Sequence, residues 1–216
     1  MEEKGTVKSL IDKIKKDKKL EIYLFYHEAP IRQILEISDI DKNKKQIEFK
    51  INGKIDAAVN ESREVYTKFG NDIFVLRPLI WNREFLITSF PSFAIEPKLN
   101  RNYPRVKCSN KNPITMEDIE IGLCLHIRDI SEGGIGFKID KNIDIKENNI
   151  HKVKLNINGK EYDAKIKIVY KTQANGDLYK IGAKFIEPSV KLEDAIAKYV
   201  FDRQMEIAKI LNTFMD

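Results

Sequence analysis

Apolar and polar residues alternate one for one through most of this chain, in runs of five to ten residues. Successive side chains of an extended strand point to opposite faces, so each such run has one face to bury and one to wet. A helix, with its period near 3.6, does not fit that pattern. EIYLFY (21–26), IRQILEISDI (31–40), KQIEFKI (45–51), DIFVLRPLI (72–80) and REFLITSF (83–90) therefore read as strands. So do RVKCS (105–109), GLCLHIRDI (122–130), GIGFKI (134–139), HKVKLNI (151–157), YDAKIKIVYK (162–171) and LYKIGAKFI (178–186). Asn52-Gly53, Asn158-Gly159 and Asn175-Gly176 read as hairpin turns, because both central residues of a tight turn need positive φ. The tetrapeptide INGK occurs at 51–54 and at 157–160. Nothing around it matches, so shared turn chemistry explains it better than a duplicated domain.

Helical spacing shows only near the two ends. Val7, Leu10, Ile11 and Ile14 place a short amphipathic helix over 6–18. Ile196, Tyr199, Val200, Arg203, Ile207, Ile210, Leu211 and Phe214 place a longer one over 190–214. Between the two sets of strands, Pro91, Pro97 and Pro104 coincide with a loss of periodicity. Proline removes a donor and biases the preceding residue away from helix. The reading is a mainly β chain of two small antiparallel domains, 1–95 and 96–216, with a closed barrel of six strands in the second.

Composition excludes several classes. With 42% hydrophobic and 33% charged residues, the chain is folded rather than disordered. No run of 18 apolar residues exists, and MEEKGTVKSL has no apolar signal core, so no membrane insertion and a cytoplasmic location are expected. Cys108 and Cys124 are too few for a disulfide scaffold or a zinc site and are expected to be buried. His27, His126 and His151 lack metal-ligand spacing. A net charge of +5 is a mild bias, and KIKKDKK (13–19) reads as the solvated face of a helix. No basic stripe with interleaved aromatics stands out, so nucleic acid is not the expected partner, although small barrels do bind it. No Walker loop, G-x-S-x-G or H-E-x-x-H is present, and no catalytic residues or cofactor are expected.

Two short motifs remain. Of the 38 basic residues only eight are arginine, yet Arg101 and Arg105 stand four apart in RNYPRV. Arginine offers a planar fork of donors and a stacking face that lysine lacks. Pro104 argues for a loop running into a strand. DISEGG (129–134) follows about 25 residues later, with Asp129, Ser131, Gly133 and Gly134 at a strand end. Paired glycines permit positive φ or a close backbone approach. Chance would give R-x-x-x-R roughly 0.3 times and D-x-S-x-x-G roughly 0.03 times in such a chain, so the second carries more information.

In this order the motifs resemble the paired signature of the PilZ domain family, bacterial receptors for cyclic di-GMP. The resemblance covers about residues 98–214 and keeps all five signature positions. It implies a six-stranded barrel with a trailing helix, and no catalysis. The first domain resembles, without a sharp motif, the split-barrel-like partner domain of flagellar-brake members. The resemblance implies cyclic di-GMP as ligand. Arg101 and Arg105 would serve a base edge and a phosphate, and Asp129 and Ser131 would discriminate guanine. Gly133 and Gly134 would let the ligand near the backbone. An arginine fork can bond guanine O6 and N7 together, and a carboxylate can accept from guanine N1–H and N2–H. Some relatives carry a further arginine that favours a stacked ligand dimer. Here that position is Asn100, which implies one ligand per site. A change in interdomain arrangement on binding, and a protein partner such as the flagellar motor, are what the family implies downstream. The competing reading is a PilZ-like interaction module without nucleotide.

Overall fold

The computed structural model describes residues 2–95, 98–174 and 176–214. They divide into two compact units, 1–100 with 207–216, and 101–206. Residues 207–214 thus cluster with the first unit.

The first unit begins with α1 (Glu2–Asp17), longer at its start than the spacing suggested. Strands β1 (Lys19–Tyr26), β2 (Ala29–Asp41) and β3 (Gln46–Lys50) follow. Helix α2 (Gly53–Ser62) precedes β4 (Val65–Phe69), β5 (Asp72–Leu76), β6 (Pro78–Trp81), β7 (Phe85–Ser89) and β8 (Ser92–Phe93). A 3₁₀ turn over Lys98–Asn100 ends it. The eight strands form one antiparallel sheet in the order β6-β7-β3-β2-β1-β4-β5-β8. β2 pairs with β1 through its first half and with β3 near its end, with a register shift between Ile37 and Asp39. A bulge bends a long strand and increases its twist, which curls this sheet into a half-barrel. Leu10 and Ile14 of α1, Ile22 and Leu24 of β1, and Ile55 and Val59 of α2 are buried.

Two expectations fail in this unit. Asn52-Gly53 is not a hairpin. Asn52 caps α2, its Oδ1 accepting from the Ile55 amide at 3.1 Å. Asparagine serves a turn or a helix start equally well, because its short side chain satisfies a nearby backbone amide in either. The run 72–80 is two strands, β5 and β6, divided at Arg77 before Pro78. β4 was not foreseen.

The second unit holds β9 (Val106–Lys107), β10 (Thr115–Asp118), β11 (Leu123–Ser131) and β12 (Gly134–Asp140). It continues with β13 (Ile150–Ile157), β14 (Lys160–Gln173), β15 (Leu178–Phe185) and the part of α3 (Val190–Asn212) that precedes Ile207. The antiparallel order β10-β13-β14-β15-β12-β11 returns to β10, so six strands close into a barrel. The barrel has six strands as expected, but one of them differs. RVKCS supplies only β9, which pairs with the second half of β11 through Lys107↔Asp129 and Val106↔Ile130. Ring closure falls to β10, paired with the first half of β11 through Thr115↔His126 to Asp118↔Leu123. TMED carries too short an apolar alternation to be read as a strand.

Inward positions of this barrel are mostly aliphatic, joined by the aromatic Phe137 at 1% exposure. Truncating such a ring costs about 3–5 kcal/mol. At one end His151 and Asp118, both buried, approach to 2.7 Å (Nδ1 to Oδ2). Asn158 and Gly159 carry φ of 54° and 77°, and this hairpin forms as its chemistry dictates. Gly176 also has positive φ, while Asn175 lies outside the described residues. Cys108 is buried as expected, whereas Cys124 is exposed, on the outward face of β11. In α3, Leu192, Ile196, Tyr199, Val200, Arg203, Ile207 and Leu211 are buried. Phe214, expected in the stripe, lies beyond the helix and is 37% exposed. Among the described residues no helix is long and apolar enough to cross a membrane.

Candidate ligand-binding site

The motif residues meet where β9 lies against β11. Asp129 pairs with Lys107 on one side and with Gly136 of β12 on the other. Its residue exposure is 5%. A carboxylate placed there needs a cation, and Arg105, just ahead of β9, supplies it. Arg105 Nη1 donates to Asp129 Oδ1 at 3.0 Å. The Arg105 side chain is 23% exposed and its Nε is buried with no acceptor among the described residues. A buried donor without a partner is costly, by about 1–3 kcal/mol. The fork is therefore engaged by the protein at Nη1, while its buried Nε has no acceptor among the described residues.

The glycines act through space rather than through φ. Neither Gly133 nor Gly134 takes a positive φ. A Cβ on Gly133 would lie 2.9 Å from the Tyr103 ring, so the Arg101–Arg105 segment rests on the hairpin through Tyr103. A Cβ on Gly134 would collide with the Ala183 carbonyl of β15. That glycine admits the neighbouring strand. Ser131 is buried, and its Oγ donates to the Gly134 carbonyl at 3.4 Å across the hairpin. Arg101 is exposed, and Asn100, the last residue of the 3₁₀ turn, is exposed in the first unit.

Helix α3 fixes the segment that carries Arg105. The Tyr199 hydroxyl accepts from the Ser109 amide at 3.0 Å and donates to the Asn112 carbonyl at 2.8 Å. Burial pushes its pKa up to about 12, and does the same to the Cys108 thiol. Beside Asp129, a groove of about 430 Å³ is lined by Lys107, His126, Arg128 and Lys138 among others. No acidic residue lines it, so its field suits an anion.

Residues 99–202 match the PilZ domain family. This segment is a PilZ domain. An uncharacterised protein of Aquifex aeolicus (strain VF5) is 27% identical over 214 residues, 91% of this chain and 92% of that one. The complex of K. pneumonia MrkH with c-di-GMP is 14% identical, with 94% of each chain covered and a TM-score of 0.51. The fold is shared at that level. Escherichia coli YcgR in complex with c-di-GMP is 12% identical over 96% of this chain and 93% of that one, with a TM-score of 0.48.

Within the PilZ domain, sequence reasoning missed Tyr103 and Gly136. A Cβ on Gly136 would stand 2.6 Å from both carboxylate oxygens of Asp129. Gly136 is therefore what allows that carboxylate to lie across β12. Its signal was present: it shares a strand face with Gly134, two residues earlier. Arg203 was read as one member of an apolar stripe, yet it is buried and bonded to β9.

Proposed function

We propose that this PilZ domain is a receptor for cyclic di-GMP and that the chain is not an enzyme. The observation that carries the reading is the Arg105–Asp129 pair, 3.0 Å apart, which sets a guanidinium and a carboxylate side by side on the barrel. A guanidinium held at one nitrogen retains donors for a guanine edge or a phosphate. Asp129, held over Gly136, keeps acceptor capacity for guanine N1–H and N2–H. Arg101, exposed four residues earlier, supplies the second fork. Ser131 supports the hairpin, and Gly133 and Gly134 shape it. MrkH and YcgR, both solved with c-di-GMP, support the ligand class.

The signal follows from the chain order. The division between the compact units falls between Asn100 and Arg101. A ligand that fixes the Arg101–Arg105 segment acts on the connector and so changes the arrangement of the two units. A motility output through a protein partner such as the flagellar motor is the downstream reading, in the cytoplasm. Titration calorimetry with cyclic di-GMP, GTP and cyclic di-AMP tests the receptor reading. Heat with the first alone, lost in Arg105→Ala, is the expected result; no heat with cyclic di-GMP removes the reading. Superimposable scattering profiles with and without ligand would remove the conformational part.

A further inference from the structure

Asp129 and Gly136 belong to a row that runs further than the motif. Register aligns Lys107 of β9, Asp129 of β11, Gly136 of β12, Gly182 of β15 and Tyr170 of β14. Five strands thus present one line of residues on the same face. Ile135, Phe137 and Ile181, which alternate with this row, are buried in the barrel. The row therefore faces outward. Its third and fourth positions are directly paired glycines, and both are covered by a neighbour's side chain. Asp129 lies over Gly136. Tyr170 lies over Gly182, where a Cβ would collide with ring atom Cε1 and stand 2.8 Å from Cδ1.

Opposed Cβ positions in a sheet are about 4.5–5.5 Å apart. The carboxylate and the phenol ring therefore sit on adjacent floor positions, one supplying an acceptor and the other a flat apolar face. A register shift between Ile168 and Tyr170 re-aims β14 at this point, and Val169 at the shift is exposed. Bulges commonly redirect a side chain beside a site. Lys180 Nζ is 6.0 Å from the Tyr170 ring centroid, and Lys138 is directly paired with Lys180. The Lys180 ammonium thus stands over the ring, and a base that stacks there would move it aside toward the attached phosphate.

We infer that Tyr170, whose ring covers Gly182, is the stacking platform for one purine of the dinucleotide, with Lys180 and Lys138 facing its phosphate. This rests on the receptor reading above and extends its site from β11 and β12 onto β14 and β15. A tyrosine held against backbone loses little freedom when a base stacks on it, and stacking needs only the ring, not the hydroxyl.

The test uses the full chain and cyclic di-GMP. Tyr170→Phe is expected to bind within about threefold of the unaltered protein, since the ring is kept. Tyr170→Leu is expected to bind about 5- to 150-fold more weakly. In the unaltered protein, the Tyr170 ring protons are expected to shift upfield on titration, a ring-current effect that a purely structural tyrosine would not show. Tyr170→Leu binding as tightly as the unaltered protein, while Arg105→Ala does not bind, would overturn the platform and leave the receptor reading standing. Should Tyr170→Leu fail to fold, the ring-proton shift decides, and its absence at saturation overturns the platform. No binding by the unaltered protein would overturn both.

Discussion

Arg203 Nε donates to the backbone carbonyl of Lys107 at 2.9 Å, tying helix α3 to the short strand that follows Arg105. Arg203 is 8% exposed, and its Nη1 also meets Glu206 at 2.6 Å. The residue that aligns Asp129 across β9 is thus held in place from the helix. Sequence placed Arg203 on the correct face of α3, but its partner is a carbonyl about a hundred residues earlier.

Arg203→Met should keep the helix and much of the packing but leave the Lys107 carbonyl without its donor. A loss of about 1–3 kcal/mol in urea unfolding is expected. Cyclic di-GMP affinity should fall as well, through β9. An unchanged unfolding midpoint would show that the bond contributes nothing.

Gly136→Ala adds one methyl group that must displace the Asp129 carboxylate, since both oxygens lie 2.6 Å from its position. Gly136 has no positive φ, so the backbone tolerates alanine. The expected outcome is a folded protein binding cyclic di-GMP at least about tenfold more weakly, the scale of one lost charge-assisted bond. Calorimetry beside a thermal melt checks both halves.

The two thiols should differ in reactivity. Burial drives the Cys108 pKa up to about 12, so it remains a protonated thiol, inert below that pH. Cys124 is exposed on β11. An aromatic disulfide reagent at pH 8 should release one equivalent quickly from folded protein and a second only on denaturation. Two equivalents from the folded state would contradict the burial of Cys108.

Binding should saturate at one cyclic di-GMP per chain, because Asn100 stands where a third arginine would clamp a stacked pair. Calorimetric stoichiometry reads this directly. A value near two would show that the remaining cations suffice.

Tyr199→Phe removes a hydroxyl that serves both the Ser109 amide and the Asn112 carbonyl. Leaving a buried amide unpaired should cost about 1–3 kcal/mol by denaturant unfolding. The loss should exceed that of Tyr162→Phe, where the side chain is half-buried on β14.

Sequence alone determined the strands of the barrel core, because period-two alternation leaves an extended chain one face to bury. It also determined the Asn158-Gly159 hairpin, whose two positive φ values are a local demand. The motifs singled out Arg105 and Asp129 separately, and the ion pair between them is seen only in the structure. Local chemistry did not decide what Asn52-Gly53 would do, because the same pair caps a helix as readily as it turns a hairpin. It did not decide that TMED rather than RVKCS would complete the ring, since closure depends on which edge of β11 is still unpaired. Nor did it separate Gly134, which admits a strand, from Gly136, which admits a carboxylate, or join Tyr170 to Gly182. Those assignments come from register between strands distant in sequence, and register is settled only when the whole barrel buries its inward face at once.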